Sequence, residues 1–381
     1  MTEVEQEEET TEQSPRMGRR RFLKKAGLVS AALPVASGLI VSACYEDPTG
    51  GPVKPTQIPT AGTVPPAPGA APDILAKAKE MDSHHEQAVV EFLKNQKAPL
   101  TKGKGMEELA PRIENGVKVF DLTMDEVEWE VSPGKFEKAR GYNNQVPGPT
   151  LRATEGDRVR VNVKNNLNES SAIHWHGLLI PNSQDGVPYV TQNPIKPGET
   201  YTYEFPIRNA GSHMYHSHHN SADQVNRGLL GAFIISPKDP ASYPKYDREF
   251  ILIMNDLALG FTINGKGFPA TDALVAKKGE RVLVRWMNEG MMYHPMHLHG
   301  MAMEVFQRDG YPISPPYKCD TIDVPPGNRF DCIIQADEPG LWAFHCHVLS
   351  HAEFEGGFFG LVTVLAVEDE TFKVADILSK V

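Results

Sequence analysis

From Lys118 onward, apolar residues come in short runs, among them Arg158-Val159-Arg160-Val161-Asn162-Val163, Thr200 to Phe205, Ala232 to Ile235 and Glu280 to Trp286. Their alternation has a period of two, the spacing that turns every second side chain to one face of a strand. Turn signals divide the runs: Val146-Pro147-Gly148-Pro149, Lys196-Pro197-Gly198 and Pro325-Pro326-Gly327-Asn328. The pattern predicts an all-β fold with two sandwich domains, over residues 112–238 and 245–368. Each contains a similar strand start, Gly156-Asp157-Arg158-Val159 and Gly279-Glu280-Arg281-Val282, and each ends in a His cluster and a Gly-rich apolar strand. Two parallel layouts predict an internal duplication. Upstream, Ile74, Ala78, Met81, Ala88, Val89 and Phe92 recur at helical spacing behind Asp73 as N-cap. They predict one amphipathic helix over residues 73–98 that packs on the main body. Its His84-His85 pair is expected on the polar face rather than on a metal. Residues 46–72 hold eight Pro and four Gly and cannot bury a core, so residues 44–72 read as an extended tether.

The first 43 residues carry Arg19-Arg20-Arg21-Phe22-Leu23-Lys24, an apolar stretch from Ala26 to Ala43, and then Val41-Ser42-Ala43-Cys44. They resemble a twin-arginine export signal ending in a bacterial lipobox. The resemblance implies an exported protein on the periplasmic or outer cell-surface side, anchored to the membrane by a lipid on Cys44. The alternative is an uncleaved membrane anchor. With 38 basic and 49 acidic side chains the net charge is −11, which argues against nucleic acid as the main partner. Four Cys are too few for a disulfide-stapled scaffold. Cys319 and Cys332 flank the Pro325-Pro326-Gly327 turn, either as a disulfide across a hairpin or as two buried free thiols.

The chain has 14 His, and ten of them fall in four clusters. These are His174-Trp175-His176, His216-Ser217-His218, His294-Pro295-Met296-His297-Leu298-His299 and His345-Cys346-His347-Val348-Leu349-Ser350-His351. On a strand, His-x-His aims two imidazoles at one place. In the last cluster His345 and His347 face one way and Cys346 the other. Imidazole with a single thiolate favours copper over a zinc–thiolate site, and Cys with two His, supplied by His294 and His351, suits a blue copper. His213 and His219 have the opposite strand parity from His216 and His218 and should face away.

The four motifs in this order resemble the multicopper oxidases, and the absence of room for a third domain resembles the two-domain, laccase-like members. The resemblance covers about Val117 to Val367 and implies two cupredoxin-like Greek-key sandwiches and four coppers per chain. On that pattern His294, Cys346 and His351 hold type 1 copper, and His174 and His297 hold type 2. His176, His216 and His347 hold one type 3 ion, and His218, His299 and His345 the other. It also implies one-electron oxidation of a phenolic, aromatic or metal-ion donor, coupled to reduction of O2 to water. Cys346 and His351 carry the electrons, and Asp185 serves as proton relay or water orienter. A homotrimer is implied, with trinuclear sites between subunits. Phe358 falls at the axial position, after a two-residue insertion, and cannot ligate. Glu353 and Glu355 are expected on the surface, and Met291, Met292, Met296, Met301 and Met303 as core filler rather than Cu(I) ligands. The competing readings are a copper nitrite reductase and a non-enzymatic copper-storage scaffold.

Overall fold

The computed structural model describes residues 72–354 and 356–379. The expected export segment, Cys44, most of the tether and Glu355 lie outside the described residues. Helix α1 (Pro72–Lys97) is followed by β1 (Arg112–Glu114), β2 (Val117–Ser132), β3 (Lys135–Tyr142), β4 (Leu151–Thr154), β5 (Arg158–Asn165), β6 (Ile173–His176), β7 (Thr200–Pro206), β8 (Gly211–Ser217), α2 (Ser221–Gln224) and β9 (Leu230–Ser236). Then come β10 (Arg248–Asn255), β11 (Thr262–Ile263), β12 (Leu274–Lys277), β13 (Arg281–Asn288), β14 (His294–Leu298), β15 (Met303–Arg308), β16 (Tyr311–Cys319), β17 (Thr321–Val324), β18 (Arg329–Gln335), β19 (Gly340–Cys346), β20 (Glu353–Phe354), β21 (Gly357–Phe358), β22 (Val362–Glu368) and α3 (Val374–Leu378).

The first sandwich packs β1-β2-β5-β7, with β3 on β2, against β4-β9-β8-β6. The second packs β11-β10-β13-β18-β15-β16 against β12-β22-β19-β14-β17. Parallel pairs recur in both: β2 with β5 and β4 with β9, then β10 with β13 and β12 with β22. A parallel pair cannot close through a hairpin, so the chain crosses between sheets, which gives the cupredoxin-like Greek key. The internal duplication is therefore one of topology. Trp175 meets Tyr203 edge-on at 5.2 Å in the first core, and Trp286 meets Phe344 at 4.9 Å in the second. Met214, Leu230, Ala232 and Ile234 of the first sandwich form one buried cluster with Ile253 and Met287 of the second. Beside this seam the buried Arg285 pairs with Asp331 at 2.8 Å and Glu249 at 2.6 Å, so its charge is neutralised where it is desolvated.

Helix α1 is the expected amphipathic helix, and it packs on the main body. Phe92 and Leu93 of α1 are buried, and Phe92 stacks on Phe268 at 5.1 Å, but Met81 and Val89 are 44% and 40% exposed. Of the stripe's described side chains, Phe92 is buried and Ala88 half-buried, while Ala78, Met81 and Val89 are exposed. The bed beneath the helix is narrow: α1 lies on β21 and α3, elements of two and five residues. Contact is close, because a Cβ on Gly357 would sit 3.0 Å from the His84 carbonyl oxygen. Of the two alternatives for the cysteines flanking the Pro325-Pro326-Gly327 turn, the free thiols are the one found, with Cys332 buried and Cys319 half-buried. The chain changes sheets at Pro325-Pro326-Gly327, so the turn joins β17 to β18 of the opposite sheet rather than closing a hairpin. Cys319 faces Met303 and Cys332 faces Val305 from opposite sides of β15. One strand between them puts the thiols roughly two strand spacings, ~10 Å, apart. Among the described residues no helix is long and apolar enough to cross a membrane.

Candidate metal centres

Strand β19 carries His345 and Cys346 and pairs antiparallel with β14, where Met296 faces Cys346 and His297 faces His345. Cys346 thus points into the second core, and the residues on either side of it point out. His294, at the start of β14, and His351, in the turn after β19, close on the thiol from two sides. Their Nδ1 atoms lie 3.9 Å and 3.6 Å from Cys346 Sγ. Metal–sulfur and metal–nitrogen bonds of about 2.3 and 2.0 Å meeting near 120° put the donors about 3.7 Å apart, so the three groups fit one ion. Burial pushes the Cys346 thiol up to about 11, so its thiolate forms only with a bound cation beside it.

His294 is fully buried, and its other ring nitrogen, Nε2, lies 3.1 Å from Asp256 Oδ2. Asp256 also accepts from the Met291 and Met292 amides. Burial opposes its charge, but the His294 ring and these amides hold the carboxyl below the usual carboxylate range. Phe261 stacks on His351 at 4.2 Å and stands edge-on to His294 at 6.4 Å. Asp256 and Phe261 lie more than thirty residues before the ligand cluster, and no local motif marks either one.

The remaining eight imidazoles form two quartets. On β6 and β8, His174 faces His216 in register, and His174, His176, His216 and His218 make one group of ring contacts with centroids 5.3–6.3 Å apart. On β14 and β19, His297, His299, His345 and His347 make a second, at 4.8–5.9 Å. His176 Nδ1 lies 3.2 Å from His216 Nε2, and His299 Nε2 lies 3.1 Å from His345 Nε2. Two nitrogens on one tetrahedral ion at about 2.0 Å lie about 3.3 Å apart, so both contacts suit a metal. Among the described residues no ring contact joins the two quartets.

The same hydrogen bonds orient both quartets. His174 Nδ1 donates to the Asp185 carbonyl at 2.9 Å, and His297 Nδ1 to the Asp320 carbonyl at 3.1 Å. His216 Nδ1 donates to the Ser217 carbonyl at 2.9 Å, and His345 Nδ1 to the Cys346 carbonyl at 3.0 Å. In all four the Nε2 lone pair is left for a metal. Burial lowers the pKa of His174, His216 and His176, the last to about 2 with the Arg329 guanidinium as second cause. All three are therefore neutral and ready to ligate. The Asp185 carboxylate is 3.4 Å from His174 Nδ1. Its turn lies close on β6 because residue 186 is Gly: φ is +85° there, and a Cβ would fall 1.7 Å from the Ile173 carbonyl oxygen.

Other predicted residues are placed as follows. Phe358 packs against a cluster of Phe92, Phe268, Ala352 and Val362, with His85 edge-on at 4.7 Å. From the same segment, Leu361 shares the Cys346 core. His85 bonds to Glu353 at 2.9 Å. Of the five methionines, Met296 and Met303 are fully buried and Met291 is exposed. His213 is buried by Gly177 and Gly310, and His219 stands edge-on to Tyr189.

Residues 123–240 match one multicopper oxidase family profile, and residues 244–367 match a second. The chain belongs to the multicopper oxidase family. Its membership implies copper for the donor sets above. It is similar to copper resistance protein A of Escherichia coli, 41% identical over 137 residues, which is 36% of this chain and 22% of that protein. It is similar to laccase-1 of Thanatephorus cucumeris, 34% identical over 271 residues, 60% of this chain and 45% of that one. The chain thus spans less than half the length of either. Among solved structures it resembles the multicopper oxidase mgLAC, 38% identical with a TM-score of 0.62, over 67% of this chain and 89% of that one.

Proposed function

We propose that this protein is a laccase-like oxidase that takes single electrons from a donor beside His351 and delivers them to O2 at a three-copper site shared between chains. Copper, when bound, supplies the one-electron redox steps. Convergence of His294, Cys346 and His351 within 4.8 Å is the observation that carries this reading, because it sits back-to-back with an imidazole quartet on the same strand. Cys346 joins the two donor sets covalently: its side chain points to one, and its peptide neighbours His345 and His347 belong to the other. His294 is sealed from solvent and His351 is 7% exposed, so His351 offers the edge a donor can approach. Asp185 fixes the His174 ring and can pass a proton beside it. Phenols, aromatic amines and reduced metal ions all supply single electrons.

The two quartets stay apart within one chain, and each is at least partly open to solvent. A head-to-tail ring joins the first quartet of one subunit to the second of the next, and a homotrimer closes such a ring. Four coppers per chain follow. The twin-arginine and lipobox segments support export and lipid anchoring on Cys44. A nitrite reductase would place its thiolate in the first sandwich, where Ser217 stands instead.

Copper analysis, visible absorbance, oxygen uptake with a phenolic donor, and sedimentation test the proposal together. Four coppers per chain, a blue band, donor-dependent uptake and a trimer are expected. A colourless copper-loaded protein, or a monomer with full copper and turnover, would overturn it.

A further inference from the structure

At the end of β13 the chain turns through Asn288-Glu289-Gly290-Met291, beneath the rim of the first quartet. The Glu289 side chain is buried, and its Oε1 has no hydrogen-bond partner. It lines a pocket of about 340 Å³ together with His176, His216, Asn226 and Gly327. Asn226 is also buried, and its Oδ1 is likewise unpartnered. Two buried acceptors without donors are unusual, and here they border a space with room for several waters. Groups facing Glu289 are few. The Arg329 guanidinium is nearby, held by the carbonyls of Ser212, Gly327 and Asp309. The Tyr142 hydroxyl, itself unpartnered, is a neighbour, and Asp256 lies behind Gly290. His176 and His216 look in from the other side of the pocket, and neither bonds to Glu289. Burial outweighs Arg329 and pushes the carboxyl up to about 8.

We propose that Glu289 is a proton-relay residue for oxygen reduction, passing protons through this pocket toward the His176–His216 side of the copper site. The inference rests on the oxidase reading above. The balance is O2 with four electrons from the donor and four protons giving two waters. Each relayed proton leaves the Glu289 carboxyl through pocket water, and the carboxylate regains one from solvent through the open side of the pocket. Asp185 lies beside His174 rather than on this pocket, so the two acids serve different sides of the quartet.

Glu289→Gln keeps the shape and removes the transferable proton. In copper-free protein at pH 7, the infrared carbonyl band of a neutral carboxylic acid is expected in the wild type, fading as pH rises through about 8, and absent in E289Q. In copper-loaded protein, oxygen uptake by E289Q should fall ~10²-fold at neutral pH with a flattened pH profile. Anaerobic bleaching of the blue band by donor should stay within twofold of wild type. Glu289→Asp, which keeps an acid, should recover at least tenfold over E289Q. Wild-type uptake and pH profile in E289Q, no recovery in Glu289→Asp, or no Glu289-dependent band would overturn the relay. A wild type that is blue and consumes O2 in those same experiments leaves the oxidase reading standing; one that does neither overturns that reading instead.

Discussion

His174 faces His216 across β6 and β8, and His297 faces His345 across β14 and β19. Three residues before His174 stands Ser171, and three before His297 stands His294; after His216 comes Ser217, and after His345 comes Cys346. The strands and their register are alike, but the pockets behind them differ. In the first sandwich Ser171 and Ser217 both donate to Gln224 Oε1, and the Gln224 amide donates to the Ser170 carbonyl at 3.0 Å. Donors and acceptors balance, and the buried network closes without a ligand. In the second, two ring nitrogens and a sulfur bring lone pairs to one point with at most the Cys346 thiol proton to share, and a bound cation satisfies all three. Strand geometry supplies the convergence, and the side chains decide whether protons or a metal fill it.

Cys346→Ser strikes the comparison hardest, because it gives the second pocket the residue of the first. The blue band should vanish and donor-driven oxygen uptake should fall by at least ~10³-fold, since the covalent bridge between the donor sets loses its sulfur. Visible spectra and an oxygen electrode read both. A variant that stays blue would show that the pockets differ in something other than the thiolate.

Asp185→Asn tests the quartet that both sandwiches share. The Asp185 carbonyl still holds His174, so copper loading should persist, while loss of the carboxylate should cut oxygen uptake ~10–100-fold with the blue band intact. Loss of copper would instead make the carboxylate a structural partner of the ring. Ser217→Ala works on the closed network. It removes one donor from a buried Gln224 oxygen and should cost ~1–2 kcal/mol, lowering the melting temperature by a few degrees with no change in colour. A copper-dependent shift would break the distinction between the two pockets.

Much of this was legible in the residues, for reasons the comparison makes plain. A period of two gives the strands, and His-x-His on a strand fixes which imidazoles share a face, so both quartets could be read locally. The Cys346 parity argument worked for the same reason. What stayed open was long-range. Cys319 and Cys332 flank a turn that changes sheets, and local pattern cannot distinguish that from a hairpin. Asp256, Phe261 and Glu289 act on the sites through tertiary packing, and among these only Glu289 lies near a His cluster in sequence. The buried extent of α1 depends on how much surface the β20–β21 hairpin offers, which the helical period does not encode.

The smallest expected effect concerns that helix, which docks on the second sandwich. Among the described residues the first has no counterpart. His85 Nδ1 donates to the Met81 carbonyl, and Nε2 bonds to Glu353, so the ring's pKa is raised above 6.5, by the carbonyl first and Glu353 second. A raised histidine stabilises the folded state fully below its unfolded pKa and loses that contribution as pH climbs through the folded value. Docking of α1 should therefore be tighter near pH 6 than near pH 8. Glu353 is 44% exposed, and screening holds the difference to about 0.5 kcal/mol or less. Hydrogen exchange of the backbone amides around Phe92, corrected for intrinsic rates, should show opening about twofold more frequent at the higher pH, and His85→Gln should abolish the difference. Tighter docking at pH 8 would mean that the ring binds in its neutral form, and that burial of Phe92 and Leu93 alone holds the helix down.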